Sequence, residues 1–160
     1  MLKQTVEINN TDAEGRLTLG DAVAYAKRAG IDEIIDLATL TGACVTAIGR
    51  EMAGIIGSDQ RLIDQLIGAG KSCGEILWQL PLYTDYKEHL KSDVADLKNA
   101  EKAGGGAIIA ALFIHAFVGD TPWAHIDLAS AMIDKDLPLA RKGAVGVGTG
   151  MLIEYLADYA

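Results

Sequence analysis

The chain has 160 residues, half of them hydrophobic, which is enough apolar side chain for one sizeable core and excludes a disordered tail. Charged residues make up 22% and aromatic residues 6%, a balance typical of an α/β globular domain that excludes fibrous classes. The net charge is −8, from 22 acidic and 14 basic residues. This charge would repel a phosphate backbone and argues against nucleic acid as a partner.

Cysteine usage and hydropathy indicate where the chain works. Cys44 and Cys73 lie far apart, without the close pairing of a metal knuckle or a disulfide framework, which indicates a reducing compartment. The longest apolar runs, such as residues 107–117, are far shorter than the ~20 residues of a membrane span, and no signal peptide pattern precedes the first predicted strand. We therefore expect a cytoplasmic protein that does not enter a membrane.

Strand and helix patterns alternate along the sequence. Predicted strands cover residues 5–9, 33–38, 52–57 and 123–129, with an edge or irregular extended segment at 76–82. Predicted helices cover residues 17–28, 60–69, 107–118 and 149–159, with a further helical stretch that ends at Ile48. The polar stretch 83–96 is predicted to be surface. This order predicts a single α/β domain over residues 1–160, with a mixed, mostly parallel sheet flanked by helices on both faces.

A polar segment, residues 9–17, follows the first predicted strand, at the position where α/β proteins place ligands. If the segment stays extended, Asn10, Asp12, Glu14 and Arg16 all project to one side, because side chains alternate in a strand. At ~3.3 Å per residue, Asp12 and Glu14 are ~6.6 Å apart, so their oxygens can share one or two divalent cations. Arg16 would then hold an anion beside them.

A simpler interpretation fits the same spacing equally well. At a helix start, Asp12 and Glu14 would satisfy free N–H groups, and Arg16 would pair with either carboxylate. Two carboxylates also do not complete a metal site, because each ion needs about four to six donors.

Several other polar residues are predicted to be structural. Asp36 and Asp127 lie inside apolar strands, and we favour a buried hydrogen-bonded network over metal ligation because neither is predicted to end its strand. His125 and Cys44 are interpreted as core residues. The glycine-rich segment 146–150 is a weak phosphate-binding candidate and is better explained by close packing of the last helix.

The string NTDAEGRL, residues 10–17, resembles the signature of the leucyl aminopeptidase, or cytosol aminopeptidase, family. Three further strings support the resemblance: DLATLTGA at 36–43, SDVADLKN at 92–99 and WAHIDLA at 123–129. The resemblance implies a metallopeptidase that removes leucine-like N-terminal residues from peptides at a site with two divalent ions, Zn²⁺ or Mn²⁺. It also implies a homo-oligomer, which is a hexamer in the complete enzyme.

The resemblance assigns roles to particular residues. It implies that Asp12 and Glu14 are metal ligands and that Arg16 helps to hold a bicarbonate ion that acts as general base. The positions that it places along the substrate backbone and side-chain pocket are Thr39, Leu40, Gly42, Ala129 and Met132.

One departure from the family pattern limits these expectations. The family's other ligands, a lysine and two aspartates, and its catalytic lysine come from glycine-rich segments upstream of the signature, and residues 1–9 contain nothing similar. We therefore expect the chain to be the C-terminal part of a catalytic domain, inactive by itself. The alternative is a non-catalytic α/β module that binds a peptide, a metal or a protein partner.

Overall fold

A computed structural model describes residues 4–100, 104–131, 143 and 145–158. The strands are β1 (Val6–Glu7), β2 (Ile34–Ala38), β3 (Ala53–Gly57), β4 (Leu77–Gln79), β5 (Leu97–Lys98) and β6 (Trp123–Asp127). The α-helices are α1 (Gly15–Arg28), α2 (Gly42–Ile48), α3 (Gln60–Cys73), α4 (Gly106–Val118) and α5 (Thr149–Asp158). Short 3₁₀ helices cover Thr11–Ala13, Thr84–Leu90 and Leu128–Ser130.

Four strands form the central sheet in the order β2-β6-β3-β4. Strands β2 and β6 are parallel, as are β3 and β4, whereas β3 runs antiparallel to β6. The short strands β1 and β5 pair in parallel as a separate ribbon. The prediction of a mixed, mostly parallel sheet is therefore confirmed.

Helices cover both faces of the central sheet. Ile56 and Trp123 belong to a core formed with α1 and α4, whereas Ile55 and Ala124 belong to a core formed with α3 and α5. Adjacent residues of β3 and of β6 lie in the cores on opposite faces of the sheet, because successive side chains of a strand point to opposite faces. The prediction that helices flank both faces of the sheet is therefore confirmed.

Some element predictions need correction. Strand β6 ends at Asp127 instead of Ala129, and residues 128–130 turn into a 3₁₀ helix. The polar stretch after Tyr83 is not wholly surface, since its 3₁₀ helix packs on α4 and buries Leu90 in the core. None of the helices in the described ranges is long and apolar enough to cross a membrane.

Candidate metal and substrate site

The signature segment is a turn and not an extended strand. Residues Thr11–Ala13 form a 3₁₀ helix, and Glu14 already has helical backbone angles at the start of α1. The side chain of Asn10 causes this turn because it accepts a hydrogen bond from the N–H of Asp12 at 3.0 Å. The condition under which Asn10, Asp12, Glu14 and Arg16 would project to one side, an extended segment, is therefore not met.

The simpler interpretation of the two carboxylates holds in part, because both stand at a helix start, but they do not serve as hydrogen-bonding caps. Asn10 caps the turn, and the Glu14 side chain makes no capping bond although Glu14 is the N-cap of α1. Asp12 and Glu14 are both exposed. Their carboxylates are therefore accessible to a cation at the surface of the turn.

A buried amide holds this turn against the β1–β5 ribbon. The side-chain oxygen of Asn99 accepts from the N–H groups of Asn9 at 3.1 Å and Asn10 at 3.3 Å. Its side-chain nitrogen donates to the carbonyls of Asn10 at 2.7 Å and Ala13 at 3.4 Å. Asn99 is fully buried and follows β5 directly. Sequence reasoning missed Asn99, although it ends one of the strings that carry the family resemblance.

Arg16 is half-buried beside the same amide and pairs with neither signature carboxylate. Its Nη1 donates to the backbone carbonyl of Asn99 at 2.7 Å, and its Nε is buried without a hydrogen-bond partner among the described residues. Burial lowers the pKa of Arg16, and the nearby charge of Asp127 opposes that shift. A cationic group with a spare buried donor is suited to holding an anion.

The donor chemistry fits a hard divalent ion, but the donor set is partial. Asp12 and Glu14 offer carboxylate oxygens, which Mg²⁺, Mn²⁺ and Zn²⁺ accept. Within the described ranges, no group of three or more His, Cys, Asp or Glu side chains could hold a metal. Any ion bound by Asp12 and Glu14 therefore needs further donors.

The predicted substrate positions lie in two segments that the structure brings together. Thr39, Leu40 and Gly42 occupy the connection between β2 and α2, and Ala129 lies in the 3₁₀ helix that follows β6. Asp127 accepts from the N–H groups of Leu40 and Ala129, both at 3.1 Å. Met132 lies outside the described residues.

Asp127 also corrects one sequence argument. It is the last residue of β6, so the expectation that it does not end its strand is wrong. The predicted buried network is nevertheless confirmed for Asp127 by its hydrogen bonds. It is likewise confirmed for Asp36, which accepts from the Trp123 indole N–H at 2.7 Å and lies 2.5 Å from Nδ1 of His125.

The remaining candidates are structural, as predicted. His125 is buried beside Asp36, and burial raises the pKa of the buried Cys44 thiol, which opposes a nucleophilic role. The N–H groups of Gly148 and Met151, at the start of α5, donate to the Glu75 carboxylate at 3.0 and 3.3 Å. A carboxylate already fills the place that a phosphate would take.

Comparison with known proteins identifies the family. Residues 1–153 match the description "Cytosol aminopeptidase family, catalytic domain". The chain belongs to this family. A probable cytosol aminopeptidase of Geobacter sp. (strain M21) is 55% identical over 153 residues, covering 95% of this chain and 31% of that protein. The corresponding protein of Geobacter sulfurreducens is 53% identical over 157 residues, with coverages of 98% and 32%.

A solved structure agrees with this assignment to the cytosol aminopeptidase family. A tomato leucine aminopeptidase mutant superposes with a TM-score of 0.89 at 43% identity, covering 97% of this chain and 30% of that one. The chain thus spans about a third of the length of the cytosol aminopeptidases that it matches.

Proposed function

We propose that the protein containing this chain is a metal-dependent aminopeptidase that hydrolyses the N-terminal bond of peptides, with leucine-like residues preferred. The observation that carries the proposal is the exposed carboxylate pair, Asp12 and Glu14, on a signature turn held by the buried Asn99 amide. Carboxylates that make no capping bond in a rigid turn suit divalent-ion binding.

Each signature residue has a role in this proposal. Asp12 and Glu14 would hold two divalent ions, Mn²⁺ or Zn²⁺, with the other donors supplied by residues outside this chain. When bound, such ions polarise the scissile carbonyl and lower the pKa of a bound water. Arg16 would hold bicarbonate through its unpartnered Nε–H, beside the metal ligands.

The substrate positions complete the proposal. The exposed Thr39 and Gly42, with Leu40, Ala129 and Met132, would line the N-terminal residue of the peptide. We further propose a cytoplasmic location and assembly into a homo-hexamer, as the family resemblance implies.

Substitution of a proposed ligand tests the function. In the complete gene product supplied with Mn²⁺, Glu14→Gln should lower kcat/KM for leucyl peptides at least ~100-fold and weaken Mn²⁺ binding in calorimetry, because a carboxylate ligand is lost. Glu154→Gln, on the exposed side of α5, is the matched control and should change neither value.

Two results would contradict this proposal. One is a complete gene product that binds Mn²⁺ but releases no N-terminal leucine. The other concerns only the missing donors: leucine release by the 160-residue chain alone, at a rate that Glu14→Gln abolishes, would keep the aminopeptidase but refute the part of the proposal that places further donors outside the chain.

The second candidate is a non-catalytic module that binds a peptide, a metal or a protein partner. The partial donor set of the described residues favours it. Leucyl-peptide binding without hydrolysis by the complete gene product would support the module over the enzyme.

A further inference from the structure

Asp127 is a carboxylate with 1% of its surface exposed, at the C-terminal end of β6. Its Oδ1 accepts from the N–H groups of Leu40 at 3.1 Å, Thr41 at 3.4 Å and Ala129 at 3.1 Å. Its Oδ2 accepts from the Thr41 hydroxyl at 2.7 Å. Burial of an ionised carboxylate is costly unless donors surround it, and these four donors meet that need.

The donors come from two segments that are remote in sequence. One is the β2–α2 connection, residues 39–41, and the other is the 3₁₀ helix after β6. Because β2 and β6 are parallel and Ala38 lies opposite Asp127, both segments leave the sheet at the same edge. A single side chain at that edge can therefore bind both.

A second set of contacts closes the same junction. The hydroxyl of Thr41 donates to Asp127 and accepts from the N–H of Cys44 at 3.1 Å. The second bond caps the N-terminus of α2. The Cys44 sulfur lies 3.4 Å from the Ser130 hydroxyl. The backbone of Gly54 packs directly against Cys44, since a Cβ on Gly54 would lie 2.6 Å from the Cys44 sulfur.

We propose that Asp127 is a positioning residue that fixes the separation of segments 39–42 and 128–131, and thereby the selectivity of the substrate pocket between them. The proposal rests on the proposed function, since that function makes these segments the pocket walls. The four hydrogen bonds that Asp127 accepts all come from these two segments, so its loss should affect recognition more than chemistry.

Kinetics of the complete gene product test the proposal. Asp127→Asn keeps the shape but puts an amide nitrogen where Oδ2 accepts from Thr41. We expect KM for a leucyl peptide to rise ~10-fold, kcat to change less than ~3-fold, and the preference for leucine over alanine to fall ~10-fold. Asp36→Asn is the matched control, since Asp36 is also buried but bonds Trp123 and His125. It should change neither KM nor the preference.

A second pair of variants serves if Asp127→Asn does not fold. Thr41→Val removes the hydroxyl that donates to Oδ2 and should raise KM, whereas Thr41→Ser keeps the hydroxyl and should retain the original KM. Combined with Asp127→Asn, Thr41→Val should raise KM by less than it does alone, because the hydroxyl–carboxylate contact is already weakened and mainly the contact with the Cys44 N–H remains to be lost. A loss in kcat alone, additive effects, or an equal rise of KM in Asp36→Asn would overturn the proposal.

Amide hydrogen exchange separates this proposal from the proposed function. Without metal or substrate, Asp127→Asn should speed exchange at both Leu40 and Ala129 at least ~5-fold, because the charge-assisted bonds become neutral ones. Asp36→Asn should leave both amides unchanged. A protein without aminopeptidase activity would refute the proposed function, yet exchange would still decide the role of Asp127. Unchanged exchange at either amide would refute that role.

Discussion

The Asn99 side-chain amide bonds the signature turn through both of its polar atoms. Its oxygen accepts hydrogen bonds from two backbone N–H groups, and its nitrogen donates to two backbone carbonyls. Only an amide of this length combines those roles. Aspartate cannot donate and an apolar residue can do neither, so the backbone groups that it bonds would be left unpaired in a buried place.

Asn99→Asp should destabilise the protein by about 2–4 kcal/mol, because it removes two buried donations and adds a buried charge. Asn9→Asp is the matched control. The Asn9 side chain is exposed and donates once, to the carbonyl of Ala100 at 2.9 Å, so its loss should cost less than ~1 kcal/mol. Urea unfolding measures both, and equal losses would show that Asn99 does not hold the turn.

Sequence patterns predict only those candidate site residues that lie within one short, recognisable segment. A polar run after a strand, and a family signature within it, are enough to propose Asp12, Glu14 and Arg16 as candidates. The sequence left an extended segment and a helix start equally open, and the structure decides for the helix start, where the Asn10 side chain caps the turn. Asn99 lies 89 residues from Asn10, and no local pattern connects them.

At the scale of elements, β3 and β6 approach so closely that a glycine is required where they meet. A Cβ on Gly57 would lie 2.4 Å from the carbonyl oxygen of Trp123 and 3.1 Å from the Cα of Ala124. Both atoms belong to the backbone of the antiparallel partner, so a side-chain rotation cannot relieve the clash.

Gly57→Ala should therefore lower the free energy of unfolding by about 3 kcal/mol, because the sheet must deform. Gly68→Ala is the control, on the exposed side of α3 with nothing within 4 Å of its Cβ. It should raise stability by about 0.5–1 kcal/mol, since alanine favours the helix. Chemical unfolding gives both values, and a loss in both variants would contradict the backbone clash.

His115 on α4 makes stability depend on pH. Burial, and secondarily the charge of Lys87, lower its pKa below the usual value of about 6.5. The unfolded chain then binds more protons as pH falls below ~6.5, so the contribution of His115 to stability decreases on acidification. His115→Gln should flatten the dependence of unfolding free energy on pH between about 7.5 and 5.5.

Lysine variants check the cause of this shift. Lys87→Met should flatten the pH dependence partly, since it removes one of the two effects that lower the pKa of His115. Lys91→Met, which breaks an exposed ion pair with Glu88, should leave the dependence unchanged. An unchanged slope in His115→Gln would mean that other groups cause the pH dependence.

Element predictions succeed where the hydrophobic periodicity is strong. They fail where a single polar side chain sets the end of an element, or where a distant partner strand sets its direction. Helix α3 was predicted to end at residue 69 because its apolar pattern stops there, yet it continues to Cys73 and ends at the left-handed Gly74. Strand β6 stops early because the Asp127 carboxylate accepts from the N–H of Ala129. The antiparallel direction of β3 depends on its partner and is not encoded in its own five residues.

At the scale of the whole molecule, β4 is an edge of the described four-stranded sheet, and large apolar side chains on it and just before it are exposed. Trp78 on this strand is 59% exposed, and Ile76 just before it is 57% exposed. An unpaired strand edge with apolar side chains favours association with another chain.

We expect the 160-residue chain alone to self-associate through this edge, and Trp78→Lys to shift it towards monomer in light scattering. Val94→Lys is the matched control. Val94 is 81% exposed but lies on no strand, and the substitution changes the net charge by the same amount. A similar shift in both variants would indicate a charge effect and not an edge contact.

The outcome also separates the two candidate functions. If residues outside this chain, which the aminopeptidase proposal requires as metal donors, also cover this edge, the isolated chain should bind an apolar-surface dye, and Trp78→Lys should bind less of it. A chain that is monomeric, unfolds cooperatively and binds little dye would instead be self-sufficient despite Trp78. That result would favour the non-catalytic module, because a stable module needs no partner to cover its edge.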